Sequence, residues 1–320
     1  MRSSVIVRGV AALAACLLAH SVANADDTLK LAVGQRGVFE NSISDIGQRK
    51  GFFKKYGLEL DILYTQSSGE TQQAVISGAV DIGIAVGVLG ALGAYAKGAP
   101  LRALGGTMRS AYEFWYANAD SPIKTFKDAA NKTVAYSSTG SSTHLMVLAL
   151  QKHYGVTVRP VPTGGAVATL TQVLSRQVDL GWSVPPIGVK ELQEGKIRII
   201  AKGEDAPEFG NQTLRFIVVN ATALENKPDL FRRYMQGYRD TLEWMYSAPD
   251  AIKFYAEWAR ISESIARMTR DEFIPQDLAN PDKVSGLNTA MADAMTYKFI
   301  SKPLSQEELN RFIQLQKPLN

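Results

Sequence analysis

Short apolar runs alternate along this chain with stretches of helical spacing. Leu29 to Val33 is an apolar strand candidate, broken only by Lys30. Ser42 to Tyr56 then carries Ile43, Ile46, Phe52 and Phe53 on one helical face, with Gly57 as the stop. Leu58 to Tyr64 alternates as a strand, Thr71 to Ser77 reads as a helix, Asp81 to Ala85 as a buried strand, Val88 to Ala96 as a helix and Leu101 to Leu104 as a strand. The series then restarts. Strands are expected at Thr133 to Tyr136, Val156 to Val161, Val178 to Trp182 and Ile197 to Ala201. The helices between them are Ser142 to Tyr154 with Gly155 as its cap, Ala166 to Arg176, and Ile187 to Gln193. Such a βαβ succession predicts an α/β fold, with parallel sheets covered on both faces. From Pro228 onward only helices are expected, the first with Leu230, Phe231, Tyr234, Met235, Tyr238, Leu242 and Met245 on one face.

The two β-rich halves repeat each other. Ser77-Gly78-Ala79-Val80-Asp81-Ile82-Gly83 resembles Ser175-Arg176-Gln177-Val178-Asp179-Leu180-Gly181, each after a glycine-containing loop and a helix. Two related α/β lobes are therefore expected. Phe114-Trp115-Tyr116-Ala117-Asn118 and Phe216-Ile217-Val218-Val219-Asn220 are a second matched pair, expected to carry the chain between the lobes. The expected division is 26–115 with 217–320 as the first lobe and 116–216 as the second.

Residues 1–25 read as an export signal. Arg2 and Arg8 precede an apolar run from Gly9 to Val22, and Ala23-Asn24-Ala25 is a small-x-small cleavage site. The run is too short to cross a hydrocarbon core of roughly 30 Å. Leu13-Ala14-Ala15-Cys16 also matches a lipobox, but little apolar sequence precedes it, so cleavage after Ala25 is favoured. Either route places the protein outside the cytoplasmic membrane, in the periplasm. Cys16 is the single cysteine, so the remainder has no thiol for a disulfide, a zinc site or a nucleophile. The formal charge of +4 falls to +2 without Arg2 and Arg8, and scattered basic residues argue against nucleic acid as a partner.

In open α/β sheets, ligands bind beyond the carboxyl ends of the strands. Here those ends lead into Gly34 to Ser42, into Thr65 to Glu70, and into Ser137-Ser138-Thr139-Gly140-Ser141-Ser142-Thr143-His144. The last segment sets hydroxyls before a helix, whose N-terminus offers free N–H groups and a positive dipole end to an acidic ligand group. The same residues could only cap the helix. His144 lacks a third group to orient it and is expected to be a neutral, non-catalytic histidine; no metal site is expected either. The candidate ligand-binding residues are Arg36, Phe39, Glu40, Asn41, Ser68, Gly69, Glu70, Gly87, Ser138, Ser141, Ser142, Thr143, Gly165 and Trp182, with Arg109 a further candidate partner for an anion. Glu40 and Glu70 leave room for a zwitterion.

Leu31 to Asn41, Gly51 to Leu58, Gly78 to Gly83, Tyr136 to Leu150 and Val178 to Gly181 together resemble the periplasmic substrate-binding proteins of ABC importers in the nitrate/taurine/alkanesulfonate group, the NMT1/THI5-like family. The resemblance implies a two-lobed periplasmic-binding-protein type II fold with two crossing strands as hinge. It also implies a monomer without cofactor or catalysis, which captures a small anionic or zwitterionic ligand and delivers it to ABC permease membrane subunits. The alternative it implies is a pyrimidine-precursor protein or synthase on the same fold. Such synthases depend on a cysteine-rich motif, which this chain lacks.

Overall fold

The computed structural model describes residues 26–319, so the expected export signal lies outside the described residues. The chain order opens with β1 (Asp27–Gly34), α1 (Phe39–Lys50), β2 (Leu58–Thr65), α2 (Ser68–Ile76), β3 (Ile82–Gly87), α3 (Val88–Ala96) and β4 (Leu101–Gly106). It continues with β5 (Phe114–Asn118), β6 (Thr133–Tyr136), α4 (Ser142–Tyr154), β7 (Arg159–Pro162), α5 (Ala166–Leu174), β8 (Gly181–Ser183), α6 (Val189–Gln193) and β9 (Ile197–Lys202). Then come β10 (Arg215–Asn220), α7 (Ala221–Asn226), α8 (Pro228–Ser247), α9 (Ala251–Ala259), α10 (Glu263–Met268), α11 (Leu287–Thr296) and α12 (Gln306–Phe312).

The strands form two lobes of one design. In the first lobe the sheet order is β2-β1-β3-β10-β4, with β1 parallel to β2 and β3, and β10 antiparallel to both its neighbours. In the second, β6 pairs parallel with β7, and β5 lies antiparallel between β8 and β9. A parallel bridge from Val134 to Leu180 joins the two pieces, so the order reads β7-β6-β8-β5-β9. Each lobe thus borrows its antiparallel strand from beyond a crossing of the chain.

The crossings are at 107–113 and 203–214. Both apolar pentads lie wholly inside their new sheets: Phe114 pairs with Ser183 and Lys202, and Phe216 with Val86 and Gly106. The expected boundaries at 115/116 and 216/217 therefore cut into strands. Pairing begins where the apolar run begins, and the turn from one lobe to the other happens before it. The two crossing segments touch at an antiparallel bridge between Arg109 and Thr213.

A helix and a strand, α1 and β7, differ from the spacing argument. α1 starts at Phe39 and ends at Lys50, where Gly51 takes a left-handed conformation (φ 81°). Phe53 is buried not by helix continuation but by folding back onto Gly47 and Gly237, where an added Cβ would approach its ring to 2.6 and 2.7 Å. β7 begins at Arg159 rather than Val156, because the Val156 and Val158 N–H groups are used by Gln151 to close α4. α4 itself spans Ser142–Tyr154 with Gly155 left-handed, as the pattern predicts. The apolar face expected from Leu230 to Met245 is buried along α8, which packs against α1. α11 and α12 also return to the first lobe, against α3 and β4.

A candidate ligand site between the lobes

The strand ends of the two lobes face each other across a polar pocket. Its walls include Gln35, Asn41, Ser67 and Ser68 from the first lobe and Ser137, Ser141, Ser142, Thr143, Trp182 and Val184 from the second. Glu40, Glu113 and Arg215 also line it. The open space is small, about 50 Å³, enough for a few waters or a compact ligand group.

The lobes meet around this space through direct hydrogen bonds. Gly69 N–H donates to Ser138 Oγ (3.0 Å), Gly90 N–H to the Gly140 carbonyl (3.0 Å) and Ala166 N–H to Gln35 Oε1 (2.6 Å). At Gly87 an added Cβ would lie 2.5 Å from the Gly140 carbonyl oxygen and 2.6 Å from Ser141 Cα. Only a glycine lets the two backbones come so close.

A buried ion cluster forms one wall. Arg215 Nε donates to Glu40 Oε1 (2.8 Å), and its Nη1 to Glu113 Oε1 (2.6 Å) and Ser142 Oγ (3.1 Å). Thr107 Oγ1 donates to Glu40 Oε2 (2.8 Å), and the guanidinium lies 5.0 Å above the Tyr112 ring. Burial works against the Arg215 charge, but Glu113 and Glu40 outweigh it and hold the guanidinium protonated well above its usual range. Burial pushes the Glu113 carboxyl up, with Arg215 pulling the other way and Glu40 adding to the rise. Glu113 Oε2, Asn41 Oδ1 and Trp182 Nε1 are buried without a hydrogen-bond partner among the described residues.

The hydroxyl loop is more structural than its sequence suggests. Ser141 Oγ accepts the His144 N–H (3.2 Å) as the α4 cap, and Thr143 Oγ1 accepts the Ser137 N–H (2.9 Å). Ser142 turns to the ion cluster and Ser138 to Gly69. Helix geometry still leaves the N–H groups of Ser142 and Thr143 without partners inside α4. His144 Nδ1 accepts the Gly140 N–H (3.3 Å), and its ring stacks on Tyr136 at 4.4 Å. Burial lowers its pKa, so the ring is neutral at pH 7.

A model described as NMT1/THI5 like matches residues 45–252, well over half the chain. The chain belongs to the NMT1/THI5-like family. Its fold is that of periplasmic binding proteins. It is similar to the periplasmic aliphatic sulphonate binding protein SsuA from Escherichia coli: 18% identity, 92% of this chain and 94% of that one covered, TM-score 0.66. It is also similar to the periplasmic nitrate-binding protein NrtA from Synechocystis PCC 6803: 13% identity, 90% and 86% covered, TM-score 0.71. A curated relative is 4-amino-5-hydroxymethyl-2-methylpyrimidine phosphate synthase THI5 of Saccharomyces cerevisiae, 21% identical over 232 residues and 67% of this chain. The match spans 65% of that relative's length.

Within this family frame, the candidate residues divide in two. Glu40, Asn41, Ser68, Ser141, Ser142, Thr143 and Trp182 line the pocket. Gly69, Ser138, Gly87 and Gly165 lie at the lobe junction, Gly165 as the residue before α5 beside Gln35. Arg36, Phe39, Glu70 and Arg109 do not line the pocket. Arg36 lies 5.7 Å from each of the Tyr64 and Trp258 rings, held by cation–π contact. Phe39 is core, edge-on to Tyr255 at 5.1 Å. Glu70 is exposed, and its Oε2 accepts the Gln66 N–H (2.8 Å) in the first turn of α2. Arg109 braces the crossing by donating to Asn211 Oδ1 (2.7 Å) and the Asp277 carbonyl.

Sequence reasoning missed Glu113, Arg215, Gln35 and Ser67. Glu113 and Arg215 did leave a signal. Each is the charged residue directly before an apolar pentad ending in Asn, and their charges are opposite.

Proposed function

We propose that this protein is the solute-binding component of an ABC-type import system. It captures a small anionic or zwitterionic ligand between its lobes and presents the closed form to a membrane permease. The observation that carries this reading is a polar pocket enclosed by two similar lobes that are joined through 107–113 and 203–214. Rotation about two such links opens and closes a cleft without unfolding either sheet. The names of SsuA and NrtA, binding proteins for a sulphonate and for nitrate, support the same class. The expected export signal agrees with a periplasmic site of action, and among the described residues no helix is long and apolar enough to cross a membrane.

The relatives named as pyrimidine phosphate synthases favour a second reading, catalysis in the same cleft. Against it stands the absence of any cysteine after Cys16. The test is a thermal-shift screen over sulfonates, nitrate, aminocarboxylates and pyrimidines, followed by X-ray scattering. A true ligand at a hundred times its Kd adds about 2.7 kcal/mol of stability. It should also change the radius of gyration and be recovered chemically intact. Conversion of a pyrimidine precursor would sink the binding-protein reading.

A further inference from the structure

A cavity larger than the cleft pocket, about 390 Å³ against about 50 Å³, lies on the other side of the crossing at 107–113 and shares only Glu113 with it. The sheet order fixes its side. β5 runs between β8, whose Trp182 lines the cleft, and β9, whose Ile199 and Lys202 line the cavity. Tyr112 and Phe114 form the floor. One wall, from Ile199 to Glu204, belongs to the second lobe. The other, from Glu272 to Leu278, is tied to the first lobe by Tyr246 of α8, whose hydroxyl donates to the Ile274 carbonyl (2.6 Å). The Arg109 N–H ties the same wall to the crossing through the Leu278 carbonyl (2.9 Å). This wall includes a π-helical turn, Thr269–Phe273, a rare geometry frequent at functional sites.

Between cleft and cavity the two crossings are pinned to each other. The Ser110 N–H donates to the Gln212 carbonyl (3.1 Å) and the Gly203 N–H to that of Glu113 (2.8 Å), beside the Arg109–Thr213 bridge. With this pivot in the middle, a rotation that parts the lobes at the cleft drives their walls together at the cavity. Phe114, Ile199, Phe273, Pro275 and Leu278 suit an aromatic or hydrocarbon body, and the volume falls within the roughly 300–1,000 Å³ of small-molecule sites. The polar lining sets the sign of the head group. Lys202 Nζ is paired with Glu204 (3.1 Å), whereas the exposed Glu272 makes no ion pair among the described residues, the neighbouring Asp271 having taken Arg270. One ammonium against two exposed carboxylates favours a cation. We propose that this cavity is a second ligand site, for a compact apolar amine, and that its occupant holds the cleft shut. The site itself is independent of what the cleft binds; the closure it enforces rests on the hinge motion of the solute-binding reading.

Calorimetry on the intact protein tests it with 2-phenylethylamine, against 2-phenylethanol as the neutral molecule of the same shape and 3-phenylpropionate as the anion. The amine should bind saturably, more tightly than the alcohol by roughly threefold, the contribution of one exposed ion pair, and more tightly still than the acid. Glu272→Gln, a change at an exposed position, should bring the amine's advantage over the alcohol toward unity. Ile199→Trp, which fills the cavity from β9, should abolish binding of both. X-ray scattering should show the amine alone lowering the radius of gyration of the unaltered protein and adding nothing in Ile199→Trp. Should Ile199→Trp fail to fold, Glu272→Gln and the scattering of the unaltered protein decide. No saturable binding at millimolar amine, or binding unchanged in the variants, overturns the site. Binding that leaves the radius unchanged or larger overturns the closure. None of these outcomes touches the solute-binding reading, which stands or falls on the thermal-shift screen and on the fate of a pyrimidine precursor.

Discussion

The two lobes repeat each other down to single hydrogen bonds. Thr65 Oγ1 meets Thr71 Oγ1 at 2.6 Å, and Thr163 meets Thr169 at 2.6 Å. Asp81 accepts the Lys30 N–H and Asp179 the Thr133 N–H, both at 2.9 Å. Asn220 Nδ2 donates to the Val75 carbonyl (3.0 Å), as Asn118 Nδ2 does to that of Val173. These bonds tie a helix or loop to its own sheet. The lobes part company at the cleft. α1 starts after Val38, which makes no side-chain cap, and presents Glu40 and Asn41. Its counterpart α4 starts with a capping Ser141 and presents Ser142 and Thr143. The sharpest divergence is at Glu113 and Arg215. Each directly precedes its apolar pentad, Glu113 just before β5 and Arg215 as the first residue of β10, yet they carry opposite charges and pair with each other. What the lobes share is scaffold, and where they differ is chemistry.

Three sets of substitutions would break or sharpen that comparison. The largest effect is expected at the charged pair. Arg215→Met leaves Glu40 and Glu113 buried without a cation and should cost about 3–5 kcal/mol in denaturant unfolding. Glu113→Gln should cost distinctly less, because Arg215 keeps Glu40. The pH dependence has a definite sign. Burial raises the Glu113 carboxyl in the fold, so its protonated form is favoured there and stability falls as pH rises above the ordinary value of 4.5. The variant should lose that part of the slope. Equal costs for the two substitutions would contradict the cluster's charge imbalance.

Next comes Gly87→Ala. Gly87 has φ −61° and ψ 137°, which alanine adopts freely, so the first lobe tolerates it. The added methyl overlaps the backbone of the second lobe at Gly140 and Ser141. X-ray scattering should show a larger radius of gyration, with a loss of about 1–3 kcal/mol, typical of overpacking. An unchanged profile would mean that the lobes do not depend on this approach.

The smallest effect tests the shared scaffold. Thr71→Val and Thr169→Val each remove one hydroxyl pair, buried in the first lobe and partly buried in the second, and should each cost about 1 kcal/mol, equal within error. Clearly unequal values in melting experiments would show that the resemblance of the lobes is geometric but not energetic.

Much of this was legible in advance. Residues 77–83 against 175–181 disclose the repeat because both encode a helix end, a turn and a buried strand. The extent of α4 follows from Ser141 and Gly155, which act on their own backbone. What Arg36 and Glu70 touch was not legible, because position near a strand end says nothing about which partner takes a side chain. Arg36 found two aromatic rings and Glu70 a backbone N–H four residues away.

Local sequence by itself determined the strands and helices, their repeat, and the two apolar pentads, since periodicity, caps and β-branched runs work within a few residues. The tertiary structure alone decided the site. Arg215 and Glu40 are 175 residues apart, and Arg215 and Glu113 are 102 apart. No local pattern reports that they meet. Their pairing, the burial that shifts Glu113, and the acceptors left without donors all arise only when two sheets exchange a strand and close on one another.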